Sequence, residues 1–153
     1  RIAVESRVSI FQGVRLEAVG EGGGVQLRIG EGVNIQAYSH IGAALEIVLE
    51  RNVTLGGNVF ITDHDHDLRS PDRGYIGTGE LLAAPVRICT GAWIGEKASI
   101  LKGVTIGQMS VIAAGSLVTR DIPPFSLAVG APAVVVKRFS RETNTWNRVT
   151  NKS

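Results

Sequence analysis

From Ile29 onward an aliphatic side chain returns at every sixth residue: Ile29, Ile35, Ile41, Ile47, Val53 and Val59, then, after a break, Leu82, Ile88, Ile94, Ile100, Ile106, Ile112 and Val118. A period of six matches neither the 3.6 of an α-helix nor a heptad. It suits short strands, whose side chains alternate in direction, joined by tight turns. In the second block small residues recur four places after the aliphatic, at Ala92, Ala98, Ser110 and Ser116, and glycine follows it at Gly30, Gly42, Gly95 and Gly107. The pattern predicts coils that each turn an aliphatic inward, fit a small residue into a crowded corner and use glycine at the turn. Stacking such coils buries a continuous aliphatic column and pairs each backbone with the next. The expected fold is all-β, a parallel β-helix. The alternative, an antiparallel β-sandwich, would need hairpin turns at irregular spacing.

The interruptions are as informative as the repeat. A weaker frame at Ile2, Val8 and Val14 suggests an earlier coil, and "GEGGG" at 20–24 then breaks the register. Residues 65–81 are polar, carry Pro71 and three glycines, and cannot continue a coil. They are predicted to project as a loop, with His64 ending the last regular unit and His66 at the loop's root. From Ile122, "IPPFSLAVGAPA" ends the repeat. The tail is expected to hold a strand or short helix anchored by Trp146. The organisation is therefore a β-helix domain over 1–125 with the loop insertion 65–81, and a C-terminal extension over 126–153 packed on the helix end.

Composition narrows the function classes. A chain of 153 residues suffices for one domain with a core. The net charge of +2, without a Lys/Arg run, points to no nucleic-acid partner. No apolar stretch approaches spanning length, so no integral membrane segment is expected. The single cysteine, Cys89, excludes an internal disulfide and suits a reducing compartment. Cys89 stands at a glycine position of the repeat and reads as a small buried filler rather than a reactive thiol. Chemistry concentrates in "ITDHDHD" at 61–67, with two histidines and three aspartates. Standing alone this would be a charged turn. At the root of a loop in a solenoid it is a candidate base with its helpers, because an unperturbed imidazole titrates near pH ~6.5 and accepts protons at neutrality. Asp63 or Asp65 could hold an imidazole tautomer.

The segments "GGNVFITDHDHD", "GAWIGEKASILKGVTIG", "VIAAGSLVTRDIPP" and "AVGAPAVVVKRF" resemble the hexapeptide-repeat acyltransferases, and within them the sugar O-acetyltransferases: the maltose and galactoside enzymes and those of surface-polysaccharide synthesis. The resemblance covers roughly residues 29–138. It implies a left-handed coil, where general crossover rules favour the right hand. It also implies a homotrimer with an active site between each pair of neighbouring chains, acetyl-CoA as acyl donor in the groove, and no metal. The implied reaction is acetyl transfer to a sugar hydroxyl by direct attack, in surface-polysaccharide biosynthesis on the cytoplasmic side.

The resemblance distributes roles as follows. His66 is the general base and His64 its helper. Trp93 flanks the pantetheine arm. Glu96 stands where the family has a small residue whose backbone N–H faces the thioester carbonyl. Ala114, with Gly115, offers backbone groups to the pantetheine. Thr119, Arg120 and Lys137 lie toward the CoA phosphates, while Val134 replaces an arginine of some members. Tyr38 takes the place of a sugar-contacting asparagine, so Tyr38, Asp63 and Asp65 form the expected acceptor side; His40 reads as a corner residue. Two readings compete: an amino-sugar N-acetyltransferase of the same fold, and a γ-carbonic-anhydrase-like zinc enzyme or non-catalytic solenoid. The zinc reading lacks the family's five-residue histidine spacing, and the acceptor sugar stays open.

Overall fold

A computed structural model of the chain describes residues 1–20, 24–68 and 81–149. Up to Val118, strands of two to four residues alternate with turns, and nearly all pair in parallel with the coils before and after. They collect into three faces of a prism. The first holds Ile2–Val4, Leu27–Ile29, Ile47–Leu49, Val86–Ile88 and Thr105–Ile106. The second holds Ser9–Ile10, Asn34–Ile35, Thr54–Leu55, Trp93–Ile94 and Val111–Ile112. The third holds Arg15–Ala18, His40–Ala43, Phe60–Thr62, Ser99–Ile100 and Leu117–Val118. This is the predicted parallel β-helix. Every periodic aliphatic except Leu82 is at most 1% exposed, so the column is continuous and its burial is the main driving force. The small residues Ala92, Ala98, Ser110 and Ser116 fill the corners beside it, at most 2% exposed.

Three details depart from the sequence expectation. Leu82 does not resume the repeat. It is 43% exposed on a ribbon outside the prism, and the coil restarts at Val86. The frame also slips between Ile41 and Ile47. A regular coil returns after 18 residues, as from Ile88 to Ile106, but Ile29 stacks on Leu49, two residues later than the repeat would place it. Ile47 therefore lies over Leu27 instead. The slip hides in the sequence because both inward positions of these strands are aliphatic. Finally, left-handed backbone falls not on the expected glycines but two residues later, at Gly32, Lys97 and Met109, and at the corresponding corners Asn52, Gly91 and Gly115.

The glycine directly after the aliphatic has a different purpose, which is close approach of the next coil. A Cβ on Gly95 would lie 2.5 Å from the Ala114 nitrogen and 2.7 Å from the Ile112 oxygen. Backbone cannot yield there as a flexible side chain would. Gly95→Ala is expected to lower the unfolding free energy by about 1–3 kcal/mol. Gly57→Ala, whose nearest neighbour would be 3.5 Å away, should change it little. Urea midpoints of the two variants make the comparison.

After Ile122, which bridges to Ile106, the strand Ser126–Gly130 continues the second face in parallel beside Val111–Ile112. Ala133–Ser140 and Thr145–Arg148 then extend that sheet with two antiparallel strands, so the tail is strand rather than helix. Trp146 meets Phe139 edge-to-face at 5.4 Å. Among the described residues no helix is long and apolar enough to cross a membrane.

Candidate active site

Ile61 points inward and is fully buried, Thr62 turns outward, and Asp63 sits at the edge joining the third face to the first. There the chain leaves the prism. His64–His66 pairs antiparallel with Leu81–Ala83, forming a two-stranded ribbon that springs from the coil. Residues 69–80, most of the predicted loop 65–81, lie outside the described residues.

Strand alternation puts His64 and His66 on one face of the ribbon and Asp65 on the other. The Asp65 carboxylate meets the Lys102 ammonium at 3.0 Å, and the same ammonium donates to the Leu82 carbonyl at 3.2 Å. One lysine thus ties both ribbon strands to the next coil. In this chain Asp65 pairs with that lysine rather than with an imidazole, and its side chain stays 56% exposed.

Asp63 is fully buried. Its two oxygens accept the backbone N–H groups of Ala44, Leu45 and Glu46, each at 2.7 Å. These three residues are the stretch where the repeat slips by two, so the irregularity builds the carboxylate's socket. Asp63 Oδ1 also lies 2.9 Å from His64 Nδ1. A neutral His64 therefore carries its proton on Nδ1 and leaves Nε2 as an acceptor. The Thr62 hydroxyl donates to the His64 carbonyl at 3.0 Å and fixes the start of the ribbon. Asp63 was expected to touch the acceptor. With both oxygens engaged and no exposed surface, it orients His64 instead. His64 is mostly covered, with 16% of its side chain exposed, whereas His66, two residues further out, is exposed.

The residues expected along the cofactor groove divide between places. Thr119 and Arg120 are exposed at the ribbon's own edge, after the strand Leu117–Val118. Glu96, Ala114 and Gly115 lie at the edge between the second and third faces, and Trp93 projects from the second face with 56% exposure. The backbone N–H groups of Glu96 and Ala114 have no acceptor among the described residues. The Glu96 carboxylate turns toward Lys97 at 3.8 Å. Lys137 and Val134 belong to the antiparallel strand that extends the second face. Tyr38 folds back over Gly13, its hydroxyl 3.2 Å from Gln12 Nε2, at the second–third edge, a different edge from the one that carries His64 and His66. Within one chain, then, the histidine ribbon and the Trp93–Glu96–Ala114 set occupy different edges.

Cys89 is half-buried, and burial pushes its thiol above the usual range, which suits a filler and opposes nucleophilic use. Among the described residues no group of three or more His, Cys, Asp or Glu side chains could hold a metal ion. Sequence reasoning missed two features. One is the Lys102 tether. The other is an outward pair on the third face, His40 Nε2 to Glu17 Oε2 at 2.8 Å, where His40 was expected to be a corner residue. Its register partner Arg15 and the position of Glu17 two residues on could have signalled it only once the first coil was aligned.

Known proteins place the chain in a clear context. The family pattern described as "Hexapeptide repeat of succinyl-transferase" matches residues 26–63 and 85–120. The galactoside O-acetyltransferase of Escherichia coli K12 is 35% identical over 151 residues, covering 90% of this chain and 70% of the enzyme. WbbJ of the same organism, named for O-acetyl transfer in lipopolysaccharide biosynthesis, is 30% identical across 89% of this chain and 71% of its own length. Among solved structures, a hexapeptide-repeat acetyltransferase from Vibrio cholerae, complexed with acetyl-CoA, superimposes with a TM-score of 0.75 at 28% identity, covering 90% of this chain and 71% of that one. The shared architecture is the left-handed parallel β-helix.

Proposed function

The chain belongs to the hexapeptide-repeat acetyltransferases, and on that premise we propose that it moves the acetyl group of acetyl-CoA onto a hydroxyl of a sugar used in surface-polysaccharide synthesis. The acyl donor is supported by the acetyl-CoA held by the Vibrio relative and the CoA held by a galactoside acetyltransferase of 28% identity. The sugar hydroxyl is supported by the galactoside enzyme and WbbJ. The observation that carries the reading is the separation of edges. A ribbon bearing two imidazoles stands off one edge, and free backbone donors line another. A homotrimer, in which the ribbon of one chain meets the second–third edge of its neighbour, would bring the two halves together.

In this arrangement His66 is the base. Its imidazole accepts the hydroxyl proton as the sugar oxygen attacks the thioester carbonyl. A C–O bond forms, and the carbonyl oxygen takes the negative charge. The free N–H of Glu96 is the donor that would receive that oxyanion, and any side chain but proline preserves it. Collapse breaks the C–S bond, and the proton held by the imidazole passes to the departing thiolate. The Asp63–His64 pair keeps the ribbon's first imidazole in one tautomer and one orientation beside the acceptor. Trp93 and Ala114 line the pantetheine arm, and Thr119, Arg120 and Lys137 approach the phosphates as donors.

The test is thiol release from acetyl-CoA in the presence of a panel of sugars, with product mass measured. Sugar-dependent release with an ester product is expected. Release that yields only an amide on amino sugars would move the reading to the N-acetyltransferase. No release with any acceptor would refute it.

A further inference from the structure

On the outer side of the third face, register aligns Arg15, His40 and Phe60 in one column and Glu17, Gly42 and Thr62 in the next. His40 reaches across to Glu17 at 2.8 Å, Arg15 also bonds Glu17, and the Phe60 ring stands edge-on to His40 with centroids 5.5 Å apart. The group adjoins the first imidazole of the ribbon. A methyl on Gly42 would lie 3.6 Å from His64 Cε1 and 3.8 Å from His40 Nε2. The missing side chain at 42 lets two imidazoles share one surface, with a carboxylate at one end and the ribbon at the other.

The group keeps the chemistry of a binding surface. About a third of the Glu17 and His40 side chains remains exposed, at 32% and 33%, and Phe60 is 37% exposed. Hydrogen bonds from His40 first, then Arg15, hold the Glu17 carboxyl below its usual range, so it is an ionised acceptor at neutral pH. A carboxylate can receive two neighbouring hydroxyls at once. An apolar ring beside it suits the C–H face of a sugar, and few convergent polar groups on an apolar lining is how small-molecule sites fix orientation.

We infer that Glu17 and His40 bind the acceptor, selecting a neutral sugar through adjacent hydroxyls and rejecting one that carries a carboxylate. The inference rests on the acetyltransferase reading above and names the substrate class of that same site. Glu17 supplies both parts of the selection: its remaining lone pairs receive hydroxyls, and because it already engages Arg15 and His40, a sugar carboxylate would find those donors taken and a like charge beside it. His40 holds Glu17 toward the ribbon and is a positioning residue.

The experiment compares methyl galactoside, methyl glucoside and N-acetylglucosamine with methyl glucuronoside as acceptors for the whole protein, wild type against Glu17→Gln and His40→Gln. Wild type should prefer the neutral sugars. Glu17→Gln should raise the KM for them about tenfold, leave the KM for acetyl-CoA within about twofold, and collapse the neutral-to-uronate preference. His40→Gln should raise the neutral-sugar KM less and keep part of the preference. A purely structural role would shift the melting temperature without moving the preference, and that outcome overturns the inference. So does a Glu17→Gln variant with unchanged acceptor KM. If wild type transfers acetyl to no sugar at all, the functional reading itself has failed and takes this one with it.

Discussion

Replacing His66 by alanine should lower kcat for acetyl transfer by about a hundredfold or more, while the melting temperature and the KM for acetyl-CoA stay near wild type. General-base catalysis contributes that much when the proton must leave a weakly acidic hydroxyl during attack. The fold has little stake in the residue. His66 is exposed on the ribbon, and its place there comes from backbone pairing with Leu81, which alanine keeps. His64→Ala should be milder in kcat, because that imidazole is covered and held by Asp63. Because the His66 site is open, added imidazole should restore part of the lost rate. Steady-state kinetics on the two variants decides the assignment: near-normal turnover by His66→Ala removes it as the base.

Asp63→Ala should be the most damaging single change to both stability and activity. It strips the acceptor from three backbone N–H groups at once and leaves His64 Nδ1 without its partner. A hydrogen bond to a charged group is worth about 1.5–3 kcal/mol, so losing the buried carboxylate that gathers three of them should cost on the order of several kcal/mol. A loss in that range is expected from urea unfolding. At temperatures where the variant is still folded, transfer should be slow as well, because the 44–46 corner and the ribbon root lose their common anchor. A variant that loses stability but turns over normally when folded would show that Asp63 serves the fold alone.

The coil was legible because its physics is periodic. Ile88, Ile94, Ile100, Ile106, Ile112 and Val118 keep strict spacing, and all are fully buried. What the period could not reveal was register between coils. Ile47 looks like the continuation of Ile41, yet it sits over Leu27, since one aliphatic serves either inward position equally well. Leu82 fits the spacing by coincidence of a ribbon strand and points to solvent. The site followed the same logic. "DHDHD" at a loop root signalled an imidazole, but the division of labour among its carboxylates depends on neighbours distant in sequence. Asp63 is claimed by the N–H groups of 44–46 and Asp65 by Lys102. Glu17 and His40 carried no local motif at all; only pairing of the first and second coils sets them side by side.

The central claim is that each active site takes its base from one copy and its oxyanion donor and pantetheine groove from the next. Complementation between two inactive variants tests it directly. One is His66→Ala; the other is Ala114→Trp, which fills the exposed groove position with a bulky ring. When the two chains are coexpressed and mix at random, a working interface needs an intact His66 on one chain beside an intact Ala114 on its neighbour. The mixture should then recover about a quarter of the wild-type rate per site. A mixture as inactive as its two components, from chains shown to assemble together, would contradict the shared site and return both halves of the chemistry to a single chain.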